Sequence, residues 1–390
     1  MSWSRRKFIR NTAGALVVGQ GFSLAEGGAP KTLKAAVVGH TGRGDYGHGL
    51  DGIFAGRRGV ELIAVCDPDP AGRRKTAQKT GVLREFADYR EMLREARPDL
   101  VSIAMRHADQ HFAIARAALE SGAHVYCEKP FTTTPAEADE LLAIAGKRRL
   151  KIAVAHTMRM MPAVLRLKQA LDRGLIGEIV EMRSFGKQDQ RAGGEDMMVL
   201  GSHLFDLMRL FAGDPLWCSA RVTVQGRNIT VKDGRLTRDN VGLVAGDQIF
   251  AQFAFSKSVQ GSLTSSAALR ETVGHWGIEF AGSKSAARIN CDIAPNVFVR
   301  SSTGWKPDGR TDTWAPLDAS LSKEAPEHNL GPVGDWLEAI ARDREPECSG
   351  RNGAWAVEMV AGVYRAALTG SRISFPLRER EHPLMLAGSK

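Results

Sequence analysis

Lys129 is the residue in this sequence best placed to do chemistry. It stands in Glu128-Lys129-Pro130, directly after the strand-like run His124 to Cys127. The C-terminal end of a parallel strand is where open α/β sheets bind ligands. A lysine whose pKa is lowered by burial can orient a substrate hydroxyl and relay its proton. Glu128 beside it can hold it in place. A surface Lys-Pro turn would read the same way in sequence. A second stretch, Gly39-His40-Thr41-Gly42-Arg43-Gly44, follows the apolar run that begins at Leu33. Glycines there permit a tight turn and close approach of backbone N–H groups to a pyrophosphate at a helix start. Thr41 takes the middle glycine position of G-x-G-x-x-G, so the loop by itself is weak evidence. Its context is stronger. A second run, Val60 to Asp67, ends in an acid that can accept hydrogen bonds from both ribose hydroxyls of NAD and repel a 2′-phosphate. NAD is the cofactor these residues favour. Arg43, Arg73 and Arg74 keep NADP open. The competing role for Asp67 is to cap the helix begun at Pro68.

The elements that must position these residues alternate regularly. Strand-like runs at 33–39, 60–67, 100–105, 124–127 and 151–155 are separated by helical stretches at 70–79, 88–96, 112–121 and 135–147, the last capped by Thr134. That alternation predicts a doubly wound parallel Rossmann sheet over 32–155. Beyond it come helices at 162–173 and 196–211, then strand-like runs with few helices between them. One strand, 178–184, lies between those two helices, and the later runs lie at 220–224, 249–255, 261–265, 277–282, 286–290 and 297–300. Helices at 333–341 and 353–368 and a strand at 372–375 close the chain. The fold class is therefore α/β: a Rossmann sheet plus a C-terminal α/β domain with a large, open, mostly antiparallel sheet over 156–376. Residues 377–390 read as a tail. The open sheet offers a face for self-association into a homo-oligomer.

On these motifs the chain resembles the Gfo/Idh/MocA family over roughly residues 33–376. The family carries E-K-P at the end of a Rossmann strand, as Glu128-Lys129-Pro130 does. His111 matches its histidine at the start of the preceding helix. Arg159-Met160-Met161-Pro162 is similar to its R-[FY]-x-P, and Gly277 to Lys284 to its later strand-turn segment. The resemblance implies hydride transfer between a sugar-like C–OH and NAD(P). It also implies a D-x-x-x-H pair on one helical face. Here His203 is present and Val199 replaces the aspartate. Asp206, three residues on, and Asp196, two turns earlier, can take over as the carboxylate beside the imidazole. The implied catalytic set is His203 as base or acid, Lys129 and Asp206. The implied cofactor set is Gly39, His40, Thr41, Gly42, Arg43, Asp67, His111, Glu128 and Lys129. Arg159, Gln188 and Asp196 are expected at the substrate, with His48, His107, His156 and Arg191 as further candidates. No metal-ligand spacing is seen.

The N-terminus reads as an address. Ser4-Arg5-Arg6-Lys7-Phe8-Ile9-Arg10 matches the twin-arginine pattern, with a weakly apolar stretch from Ala13 to Val18 and small residues at Ser23-Leu24-Ala25. Residues 1–25 are expected to be a signal peptide read by the twin-arginine export machinery, and 26–31 a linker. That places the protein in the periplasm or otherwise outside the cytoplasm. The apolar stretch is too short for the ~20 residues of a membrane span. Of the formal net charge of +9, four charges fall in this leader. The rest form no basic run with interleaved aromatics, which argues against nucleic acid. The five cysteines form no CxxC pair and read as buried free thiols. Export implies a tightly held cofactor that the enzyme must itself regenerate. Two outcomes follow: oxidation of one sugar or polyol hydroxyl coupled to reduction of another, which ranks first because no leaving-group acid is seen, and glycosidase or lyase chemistry through transient oxidation. A separate reading, favoured by Val199, is non-catalytic sugar binding on the same scaffold.

Overall fold

The computed structural model describes residues 32–270, 276–291, 296–300, 313–318 and 329–385. The signal peptide and linker expected at 1–31 lie outside them. The first domain follows from short apolar runs buried on both faces. Its elements are β1 (Leu33–Val38), β2 (Val60–Cys66), α1 (Pro70–Thr80), β3 (Glu85–Phe86), α2 (Tyr89–Ala96), β4 (Leu100–Ile103), α3 (His111–Glu120), β5 (His124–Cys127), α4 (Pro135–Arg148) and β6 (Ile152–Val154). The six strands are parallel in the order β3-β2-β1-β4-β5-β6. The order reverses direction beside β1, which opens a crevice at the carboxyl ends of β1 and β4. Thr134 and Glu137 form a reciprocal capping box on α4. Asp69, not Asp67, caps α1 by accepting from the Gly72 N–H.

One element departs from expectation. The glycine loop was expected to open a helix, yet the chain from Thr41 to Gly56 winds as successive turns. Gly42, Gly44, Gly47, Gly49 and Gly56 all have positive φ, as does Asp45. Each glycine costs a helix about 1 kcal/mol relative to alanine, and so many in one segment leave turns as the better conformation. The loop therefore has no regular helix N-terminus to offer a phosphate.

The second domain comprises α5 (Pro162–Asp172), β7 (Ile179–Phe185), α6 (Gly194–Asp196), α7 (Ser202–Ala212), β8 (Trp217–Val224), β9 (Arg227–Asn228), β10 (Gln248–Ala254), β11 (Gln260–Ser266), β12 (Gly277–Gly282), β13 (Ala286–Asn290), β14 (Asn296–Arg300), β15 (Trp314–Pro316), α8 (Leu330–Ala341), α9 (Gly350–Thr369) and β16 (Ile373–Ser374). Its sheet runs β15-β14-β13-β12-β7-β11-β10-β8-β16, with β9 on β8. Among the described residues of this sheet, only the β11–β7 pair is parallel. One sheet face supplies Phe253, Leu263 and Phe280 to a core shared with Phe205 and Met208 of α7 and Val363 of α9. The alternation in β10, exposed Phe250 beside buried Ala251, marks the other face.

Two segments cross the expected boundaries. α8 belongs by position to the second domain, yet its Val333 and Trp336 are buried with Ala35, Val37 and Leu100 of the first. The Trp336 ring lies against Tyr126 and Phe54. Residues 377–385, set apart as a tail, pack onto the body. Leu384 is buried, the Leu377 N–H donates to Glu358, and Arg380 bridges Asp139 and Glu358.

Candidate active site

β5 delivers Glu128 and Lys129 to its carboxyl end, next to β4 and β6. Glu128 is fully buried. One carboxylate oxygen meets the His48 imidazole and the other accepts the Lys129 backbone N–H at 2.6 Å. Burial alone would push this carboxyl up, but His48 and Lys129 beside it hold it down at about 2. Glu128 thus fixes the turn that carries Lys129. The Lys129 side chain is itself buried, and its Nζ donates to the Val199 carbonyl at 3.1 Å. Burial lowers its pKa from the ordinary lysine value, partly opposed by Glu128 and reinforced by Arg191 and Arg106.

Val199 sits in a π-helical turn, Met197–Gly201, between α6 and α7. Such turns recur at functional sites because they disturb the regular hydrogen-bond ladder. The residue that replaces the expected aspartate therefore contributes through its backbone. Its carbonyl anchors Lys129, and His203 follows four residues later. His203 is nearly buried, with its ring edge-on to both His156 and Trp276. Lys129 and His203 face one cavity of about 350 Å³, lined also by His48, Arg106, Lys187, Arg191, Asp239, Trp276 and Asn329.

The two carboxylates expected beside His203 both have other partners. Asp206 is 1% exposed and accepts from Arg159 Nη1 at 2.7 Å, a buried ion pair under the cavity. Asp196 accepts from the Ser265 hydroxyl at 2.6 Å and from the N–H groups of Lys187 and Gln188. Burial raises its pKa against those bonds. The π turn adds a residue between Asp196 and His203, which rotates Asp196 off the shared face. Arg159 is spent on Asp206. Gln188 accepts from the Ser266 N–H and lines a separate hollow beside β12 and β13. His111 is buried between the carbonyls of Met105 and Pro130, 2.8 Å from each, and so ties β4 to the Lys129 turn. His156 is 1% exposed, and neither ring nitrogen has a hydrogen-bond partner among the described residues. Burial, with Lys129 and Arg159 nearby, lowers its pKa to about 4 despite Asp206. His107 bonds Asn240, and its pKa is lowered by burial and Arg43.

The glycine loop is built differently. Its N–H groups are used internally: Gly39 to Cys66, His40 and Arg43 to loop carbonyls, Thr41 to the Asp67 carboxylate, and Gly42 to Asp45 Oδ1 at 2.8 Å. Asp67 has no exposed surface. It accepts from the Thr41 N–H at 3.0 Å, the Thr41 hydroxyl at 2.7 Å and the Asp69 N–H at 2.9 Å. The spaces that glycine leaves are filled from within. A Cβ on Gly39 would meet the Tyr46 ring at 2.3 Å, and one on Gly72 would meet Thr41 Oγ1 at 1.8 Å. His40 bonds Gln110, and Arg43 pairs with Asp109. Arg73 donates to the Asp67 carbonyl. The fit to a dinucleotide is thus uneven. The cavity end is open, whereas Asp67 can receive a ribose only when Thr41 gives it up. The residues that would hold the cofactor are Asp67, the 39–44 loop, Arg106 and the Glu128-Lys129 turn.

Comparison with known proteins decides the family. Residues 33–156 match the Gfo/Idh/MocA oxidoreductase family's NAD-binding Rossmann fold, and residues 168–375 match its C-terminal alpha/beta domain. The chain belongs to the Gfo/Idh/MocA oxidoreductase family. It is 27% identical over 345 residues to D-apiose dehydrogenase of Paraburkholderia graminis, covering 85% of this chain and 87% of that protein. It is 28% identical over 195 residues to D-glucoside 3-dehydrogenase of Escherichia coli K12, covering 47% and 55%. Among solved structures, levoglucosan dehydrogenase with NADH and levoglucosan has the same fold, with TM-score 0.70, 18% identity and coverage of 88% and 99%. This family member is an NAD-binding oxidoreductase with the Rossmann and open-sheet architecture expected from its sequence. Arg106, Lys187, Trp276 and Asn329 escaped the sequence reading. Arg106 had a signal, since it directly follows the strand-like run 100–105. Asn329 had none, because it reaches His48 and Tyr126 across some two hundred residues or more.

Proposed function

We propose that this protein oxidises a hydroxyl of a sugar or polyol with NAD, on cofactor that it holds through many turnovers. The observation that carries the reading is Lys129: buried, with its Nζ on the Val199 carbonyl, facing the same cavity as His203. Bound NAD⁺ supplies the acceptor for the hydride that leaves the carbinol carbon. Lys129 donates a hydrogen bond to the substrate oxygen, and its lowered pKa lets it relay the hydroxyl proton. His203 takes that proton or returns it. Trp276 offers an aromatic face to the apolar side of a sugar ring. The curated relatives named above are sugar dehydrogenases, which supports the substrate class. The twin-arginine pattern at residues 4–10 supports export with cofactor on board, and the self-filled glycine loop supports slow cofactor exchange. The exposed sheet face around Phe250 supports self-association.

The test is to purify the protein, release bound ligand with acid and record its absorbance, then supply a panel of sugars to untreated protein. About one nicotinamide per chain and sugar-dependent NADH formation are expected. An empty site together with no redox change on any sugar, with NAD⁺ added, would leave a sugar binder instead.

A further inference from the structure

The cavity wall is unevenly charged. Among the described residues, Arg106, Lys129, Lys187 and Arg191 face it against two carboxylates, Glu128 and Asp239. Glu128 is committed to His48, and Asp239 lies 3.6 Å from Arg191. Arg191 also holds Asp189 through Nε and Nη2. Arg106 and Lys187 make no ion pair among the described residues. These two cations belong to different parts of the site. Arg106 follows β4, and its backbone lies under Gly44, where a Cβ would meet Arg106 N at 2.5 Å. Arg106 therefore serves the glycine-loop end. Lys187 comes from the second domain, on the segment that leaves β7.

That segment is built to hold Lys187 in place. The Lys187 and Gln188 N–H groups donate to Asp196 at 3.2 and 3.1 Å. Asp196 is fixed in turn by Ser265, whose hydroxyl also accepts the Gly193 N–H at 2.9 Å. Gln188 has φ 56°, and its side chain accepts from the Ser266 N–H at 3.1 Å. Two buried side chains thus pin the backbone of an exposed lysine that makes no ion pair among the described residues, although its charge reaches Asp189, which Arg191 already holds. A strongly hydrated ammonium held at the mouth of a small cavity acts as a point charge for one anionic group.

On the reading that this site oxidises sugars, we infer that its substrate is a monosaccharide carrying a carboxylate, with Lys187, backed by Arg191, as the specificity-determining cation. The size leaves room for one sugar ring beside the nicotinamide, since about 350 Å³ is at the small end of ligand cavities. A single free lysine, beside an arginine already shared with Asp189 and Asp239, matches one negative charge better than the two of a phosphate.

The experiment compares a hexuronate, its parent neutral hexose and the corresponding hexose 6-phosphate as substrates of the NAD-loaded protein. Calorimetry of each sugar on the NADH-loaded protein gives a second readout. The hexuronate should have a kcat/KM at least tenfold above the other two, falling with added salt. Lys187→Ala should lower that ratio at least tenfold and weaken hexuronate binding, and Lys187→Arg should restore both. Arg106→Ala should weaken NAD⁺ binding and keep the ratio, which separates pyrophosphate recognition from carboxylate recognition. Oxidation of the neutral hexose or the phosphate at equal or higher kcat/KM overturns this inference and leaves the sugar-oxidising reading intact. A protein that oxidises none of these or any other sugar overturns both.

Discussion

The two ends of the Rossmann crevice solve opposite problems. At the β5 end, Lys129 and His203 face an open cavity, and buried partners hold them without filling the space. At the β1 end, the glycine loop satisfies its own donors and packs Tyr46 and Thr41 where a ligand would approach. The contrast teaches that a glycine-rich turn marks close approach without saying what approaches. In this chain it is the loop itself, until a dinucleotide displaces Thr41 from Asp67.

The largest effect should come from the open end. Lys129→Met removes the buried proton relay and should lower sugar-dependent NADH formation about 10²–10⁴-fold. A rate within threefold of the parent would mean that the contrast between the ends has nothing to do with catalysis. Beneath the cavity, Asp206→Ala should leave Arg159 charged, buried and unpaired. A stability loss of about 3–5 kcal/mol is expected in urea unfolding. Unchanged stability with a hundredfold rate loss would instead put Asp206 in the chemistry, as first expected from its spacing to His203.

The third test concerns His156 in that same floor. Its folded pKa of about 4 lies below the ordinary 6.5. Between those values the unfolded chain binds the extra proton, so this histidine's contribution is full above pH 6.5 and is lost as pH falls toward 4. The contribution is on the order of 3 kcal/mol. His156→Asn should flatten the pH dependence of stability in that window; identical profiles would show the ring to be solvated. The smallest effect should come from the closed end. Thr41→Gly removes a hydroxyl bond to the Asp67 carboxylate, worth about 1.5–3 kcal/mol. NAD⁺ affinity, measured by calorimetry, should rise about tenfold. Weaker binding would identify the loop as folded here with the form that receives the cofactor.

The sequence alone determined the Rossmann domain, because its strands are short apolar runs buried on both faces and its helices carry their own caps, as Thr134 and Glu137 do. It also located Lys129, since a motif at a strand end is a local signal. Tertiary structure decided the rest of the site. His203 could be placed on a helix from sequence, but only the π turn determines that Val199 meets Lys129 through its carbonyl while Asp196 turns away to Ser265. Asp206 and Arg159 are expected at the site from sequence, and only packing shows that they pair with each other. Asn329 and Trp276 reach the wall from distant segments, and α8 returns to the first domain through Trp336. The physical reason is range. Strand, cap and turn preferences act over a few residues, whereas the partner of a buried charge is whatever group the assembled core brings within about 3 Å of it.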